Sequence, residues 1–197
     1  MMTMFQGKKL LVLSPHPDDA ELGAGGTLAK LVEAKAGVYW VTFSWCRESL
    51  DGEDIQTEFS NSMKKLGIRP KNITNFDFKV RHFPDARQPI LEEMIKIRKD
   101  IQPEVVLAPC SFDIHQDHST VSREALRAFR HTTLLGFEEP WNNPSAQLNY
   151  FVALEEGHLQ KKMDAVEQYT SQKRKRNYAN ADYLIFSTSR ASVFLCT

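Results

Sequence analysis

No run of apolar residues in this chain approaches the roughly 20 that a membrane-spanning helix needs, which excludes a helical bilayer span. The apolar stretch Leu10–Leu13 is too short for a signal-peptide core and runs straight into a polar motif, so the expected location is the cytoplasm. Charge of either sign is not in excess. Lys and Arg number 25 against 25 Asp and Glu, and no global field favours nucleic acid or an anionic surface. The one basic run, Lys173-Arg174-Lys175-Arg176, has no interleaved aromatics and reads as a solvated face rather than a nucleic-acid groove. Cysteine is scarce: Cys46, Cys110 and Cys196 are odd in number and lack CxxC spacing, so they read as reduced thiols, not a disulfide framework or a thiolate metal site. Internal repeats, low-complexity tracts and linkers are also missing, which makes residues 1–197 one domain. What is present is ordinary for a globular protein, with 42% apolar and 25% charged residues.

The periodicity alternates between strand and helix. Leu10–Ser14 reads as a buried strand, and Leu22–Ala36 as a helix stopped by Gly37. Val38–Ser44 is a β-branched and aromatic strand, Trp45–Gly52 a polar loop, Ile55–Leu66 a helix closed by Gly67, and Ile73–Phe78 a short strand. Ile90–Ile101 carries the stripe Ile90, Met94, Ile97, Ile101, and Val105–Ala108 is a fully apolar strand. His118–His131 is a helix, Thr132–Leu148 with Pro140 and Pro144 is irregular, Asn149–Leu154 is a strand and Leu159–Tyr169 a helix. Such alternation implies an α/β, Rossmann-like, mainly parallel sheet with helices on both faces. Sheets of this kind bind ligands beyond the carboxyl ends of their strands.

Two polar clusters fall at such strand ends. His16-Pro17-Asp18-Asp19 follows the first strand, and His115-Gln116-Asp117-His118 follows Val105–Ala108. A catalytic zinc takes three protein ligands and keeps one position open, and coordination brings a water pKa to about 7. His16, one of the two aspartates and one of the later histidines meet that count, leaving a carboxylate for proton transfer and an imidazole to stabilise developing negative charge. Spacing alone leaves open which Asp does which job. Taken singly, HPDD is also a turn with a helix cap, and the later cluster a polar helix start. Two His and one carboxylate suit ferrous iron as well.

Gly23-Ala24-Gly25-Gly26-Thr27 departs from the dinucleotide pattern GxGxxG, because Leu28 stands where its last Gly belongs. These glycines read instead as close packing of a helix on the sheet, or of backbone near the site. Arg47, Arg81 and Arg87 lie in or beside loops, where they could contact substrate hydroxyls or a phosphate, or simply be solvated.

The segments PHPDDAELGAGGT (Pro15–Thr27) and DIHQDH (Asp113–His118) resemble the PIG-L/LmbE-like family of metal-dependent N-deacetylases. Glu58 with Leu66-Gly67, the segment RHFPDARQPIL and Ser171-Gln172 also resemble family patterns. The resemblance implies that His16, Asp19 and His118 bind zinc, that Asp18 is the general base, and that His115 assists as acid or oxyanion stabiliser with Asp117 behind it. It implies hydrolysis of the acetamide of an N-acetylglucosamine-containing glycoconjugate, with release of acetate. The partner is then a small N-acetylated amino sugar, with no nucleic acid and no membrane span, and the chain can assemble into homo-oligomers. Two positions depart from the pattern: Ile55 stands where many members have Arg, and Arg190 is followed by Ala191 rather than Gly. The competing expectations are a metal-dependent phosphoesterase and a non-catalytic sugar- or nucleotide-binding domain.

Overall fold

In the computed structural model, which describes residues 5–49, 54–139, 141–144, 149–173 and 193–195, six strands form one sheet in the order β3-β2-β1-β4-β5-β6. Strands β1 (Lys9–Ser14), β2 (Gly37–Thr42), β3 (Ile73–Asn75), β4 (Val105–Pro109) and β5 (Thr133–Phe137) run parallel, and β6 (Val193–Leu195) pairs antiparallel with β5. The mainly parallel sheet is the one expected from the alternating pattern, and its strand order is of the Rossmann type. The helices are α1 (Asp19–Glu33), α2 (Ile55–Leu66), α3 (Arg87–Ile101), α4 (Gln116–Ala128), α5 (Glu156–Val166) and the short α6 (Thr170–Lys173).

Because strand side chains alternate, each buried strand feeds two cores. Leu10 and Val12 of β1, with Val105 and Leu107 of β4, join the core under α1, α2 and α5. Leu11 and Leu13, with Val106 and Ala108, join the opposite core under α3 and α4. The continuous apolar runs follow from burial on both faces.

The alternation places most elements correctly, and the departures have physical causes. β5 lies inside Thr132–Leu148, which was expected to be irregular; its Gly136 and the nearby prolines hide a strand that exists because β4 supplies a parallel partner. Asn149–Leu154 was expected to be a strand, yet only Phe151 makes a bridge. Helix α1 begins at Asp19, a turn earlier than the apolar periodicity indicates, because its first turn is acidic rather than apolar. Strand β3 ends at Asn75, although the Phe76 and Phe78 amides still donate to Thr42 and Phe43 carbonyls. Arg174–Arg176, Arg190–Ala191 and Cys196 lie outside the described residues. Among those described, no helix is long and apolar enough to cross a membrane.

The glycine-rich turn of α1 is a packing device. A Cβ on Gly23 would fall 2.5 Å from the Phe137 ring and 2.9 Å from the Glu138 carbonyl, and one on Gly26 would meet Leu154 at 2.4 Å. Helix α1 therefore sits against the end of β5 and the 149–154 segment closer than any larger residue permits.

Beneath α1, the fully buried Glu21 accepts hydrogen bonds at one oxygen from Ser62 (3.0 Å) and Tyr169 (2.5 Å), tying α1 to α2 and to the chain after α5. Its other oxygen is buried without a partner, and burial raises its pKa from 4.5 to about 7. An acid with a raised folded-state pKa contributes stability below its unfolded pKa and loses it as pH rises through the folded value. Raising the pH from below 4.5 to above 7 should therefore cost wild type on the order of 3 kcal/mol at this group. Glu21→Gln, which buries no charge, should gain on wild type across that window in denaturant unfolding. A flat difference would show that Glu21 carries no buried proton.

Candidate metal centre

The order change between β1 and its neighbours opens a crevice at the sheet's carboxyl edge, and the loops after β1 and β4 both enter it. His16 stands on the first loop. Asp18 caps α1 in the left-handed region, at φ 86°, a costly conformation for a non-glycine residue. That kink separates the directions of two adjacent carboxylates: Asp19 begins the helix and turns back so that its Oδ2 accepts from the His16 amide at 2.8 Å. His115 caps α4, and Asp117 and His118 occupy its first turn.

Three potential ligand atoms converge. His16 Nδ1 and His118 Nε2 each lie 3.1 Å from Asp19 Oδ2, and 3.3 Å from one another. The surrounding groups fix the protons. Asp117, wholly buried, accepts from the Arg81 amide (2.6 Å) and the Phe83 amide (3.2 Å), which commits it to the carboxylate form. His16 Nε2, 3.0 Å away, is then the donor to it. Asp113 accepts from the His115 amide (2.8 Å) and from His118 Nδ1 (2.9 Å). In their neutral forms the two imidazoles thus spend their protons outward and turn lone pairs toward each other and toward Asp19, where a proton or a cation is favoured.

Three lone pairs at such range repel unless a proton or a cation lies between them. A tetrahedral ion with ligand distances of about 2.0–2.1 Å sets its ligands roughly 3.3 Å apart, so the donor set fits a zinc-sized ion. The carboxylate–imidazole pairs outside it are the usual orienting arrangement of metal-bound histidines.

The acidities agree in direction. Burial would lower the His118 pKa, yet Asp19, Glu139 and Asp113 raise it well above its ordinary value; His16 is likewise raised against burial by Asp19 and Asp117. Burial would raise Asp19, but His118 and His16 hold it well below the usual carboxylate range. The pocket attracts positive charge. His115 behaves oppositely: burial, then the neighbouring His118 and His16, lower its pKa. Its Nδ1 accepts from the Asp117 amide at 3.2 Å, so the neutral ring carries its proton on Nε2 as a donor.

Asp117 therefore stands behind His16, not behind His115 as the resemblance implied; only its backbone touches the latter. Of the arginines, Arg47 pairs with Asp77 (2.7 Å) and Arg87 with Glu124 (2.8 Å), while Arg81, at φ 67°, gives its amide to Asp117. Sequence reasoning missed two residues. Asp113 was seen only as part of a motif, although its place two residues before the α4 cap was a legible signal. Glu139, buried beside Asp113 and His118, follows β5 and could not be placed without that strand.

With this geometry in view, the likeness to known proteins is specific. The family described as PIG-L, GlcNAc-PI de-N-acetylase, matches residues 11–129, which run from within β1 through α4 and hold both clusters. The chain belongs to the PIG-L family. Its alignment with the uncharacterized deacetylase YaiS of Escherichia coli K12 is 30% identical over 169 residues, 83% of this chain and 91% of that one. With the diacetylchitobiose deacetylase of Thermococcus kodakarensis it is 29% identical, over 84% of this chain and 70% of the other. The N,N'-diacetylchitobiose deacetylase of Pyrococcus horikoshii shares the fold, at a TM-score of 0.75 and 19% identity over 95% of this chain and 82% of that one. As a PIG-L member the chain is an N-deacetylase with a candidate His/Asp metal site, and the phosphoesterase and non-catalytic readings fall behind it.

Removing the carboxylate behind His16 tests the centre without touching a ligand. Asp117→Asn should retain the fold but weaken zinc binding about 10- to 100-fold, the usual loss when a partner of this kind is removed. Competition titration of the apo protein with a chromogenic chelator measures it, and an unchanged affinity would show that Asp117 does not orient His16.

Proposed function

We propose that residues 1–197 form a single zinc-dependent N-deacetylase domain acting on the N-acetyl group of an N-acetylglucosamine-containing compound. The observation that supports it most directly is the triangle of His16 Nδ1, Asp19 Oδ2 and His118 Nε2, with sides of 3.1–3.3 Å, a spacing that needs positive charge inside it. These residues are the proposed ligands, with zinc the first candidate and ferrous iron the second. When bound, the ion supplies a Lewis acid that polarises the acetyl carbonyl and acidifies water.

The chain's own groups do the rest. Asp18, held beside Asp19 by the left-handed turn, takes the proton from the attacking water and is placed to return it to the departing amine. His115, neutral and protonated at Nε2, donates a hydrogen bond to the oxygen on which negative charge develops. A cation nearby lowers its pKa further, so the ring serves as a donor over the working pH range. Asp117 and Asp113 hold the two ligand imidazoles in their metal-binding tautomers. Arg81 is the first candidate to reach substrate, because its amide donates to Asp117 at the centre; Arg47 and Arg87, also exposed, would first have to leave Asp77 and Glu124.

An N-acetylglucosaminide fits both the family description and the diacetylchitobiose deacetylase likeness. Acetate release from N,N'-diacetylchitobiose and simple N-acetylglucosaminides should disappear on chelation and return with added zinc. Asp18→Ala should lower kcat about 10²- to 10⁴-fold, the range for loss of a general base. Enzyme-coupled acetate detection measures both, and activity that survives both treatments rejects the mechanism.

A further inference from the structure

We propose that Asp113, Glu139 and the Asp113-facing nitrogen of His118 form a second, weaker divalent-cation site that shares His118 with the first. The inference rests on the metal reading of His16, Asp19 and His118, and goes beyond it by adding an ion that the reaction does not need. One donor atom from each of Asp113, His118 and Glu139 lies within 4.8 Å of the others, and the three residues are only 4%, 2% and 2% exposed.

Glu139 is the residue that the proposed chemistry leaves unexplained. Its Oε2 accepts from Asn142 Nδ2 at 3.0 Å, and its amide donates to Asn143 Oδ1 at 2.8 Å. The amides of Asn142 and Asn143 return to its carbonyl at 2.8 and 3.0 Å. The turn is thereby locked on itself, with the carboxylate at a fixed aim. Its Oε1 is buried and has no partner, an arrangement that costs free energy unless something positive sits against it.

The charges favour a cation. Asp18, Asp19, Asp113, Asp117 and Glu139 are all buried around the centre, and one dication leaves the negative side in excess. Two carboxylates and an imidazole suit zinc or manganese better than a hard ion that prefers oxygen alone.

Occupancy has a definite consequence. His118 Nδ1 must release to solvent the proton it now gives Asp113, and Asp113 must turn from that ring to the ion. The second ion therefore binds more weakly than the first and loosens the His118 ring that the first depends on. Excess metal inhibits.

Stepwise titration of the apo protein with zinc alone, followed by calorimetry and by acetate release, tests this. Wild type should take up two equivalents, the second at least about tenfold weaker, with activity rising through the first and falling through the second. Glu139→Gln, which keeps the side-chain shape, should take up only the first, and excess zinc should no longer depress its rate. Glu139→Asp, which draws the oxygen back by one methylene, should weaken the second equivalent without abolishing it, and it carries the test if the Gln variant unfolds. One equivalent in wild type, or an unaltered second equivalent in Glu139→Gln, overturns the second site alone. Absence of even the first equivalent overturns the reading of the His16 centre as well.

Discussion

The structure around the candidate centre depends on one constraint: five carboxylates and two imidazoles are buried together, and each needs a partner of opposite character. The protein meets it with backbone amides first. Those of Arg81 and Phe83 hold Asp117, that of His115 holds Asp113, and that of His16 holds Asp19. The imidazole protons satisfy the outer carboxylates, which leaves bare nitrogens and Asp19 Oδ2 facing inward. An excess of inward lone pairs is what makes the pocket a receptor for positive charge.

The sheet order supplies the scaffold for that arrangement. His16 and His118 are separated by more than half the chain, yet β1 and β4 are hydrogen-bonded neighbours, so the loops after them share one crevice. The close approach permitted by Gly23 and Gly26 seats α1 against the end of β5, and the N-terminus of that helix favours the negative charge of Asp19. Glu21, two residues further along the chain, buries a carboxyl beneath the same helix and ties it to Ser62 and Tyr169. The helix that presents Asp19 to the candidate centre is thus fixed at both the sheet and the neighbouring helices.

Much of this was legible from residues alone. Leu10–Ser14, Val38–Ser44, Val105–Ala108 and the helical stripe through Ile90, Met94 and Ile97 announced a parallel sheet covered on both faces, because burial on two sides demands continuous apolar runs. The HPDD and HQDH clusters pointed to metal chemistry only as a pair, because together at strand ends they supply two imidazoles and a carboxylate with a carboxylate and an imidazole to spare. The first turn of α1 and strand β5 were harder to see. Acidic residues conceal a helix start from apolar periodicity, and a five-residue strand containing glycine shows itself only when its partner is known. Glu139 was lost with β5.

The sequence by itself determined the layer architecture, the two loops that carry the candidate ligands and the class of chemistry, since these follow from hydrophobic period and from donor types at short spacing. Only the tertiary structure decided which atoms face the candidate metal position, that Asp117 pairs with His16, that Asp113 pairs with His118, and that one carboxylate oxygen of Glu139 stands without a partner beside them. The reason is geometric. A proton's position on an imidazole depends on which carboxylate lies within about 3 Å of each nitrogen, and those neighbours come from loops that meet only when β1, β4 and β5 align.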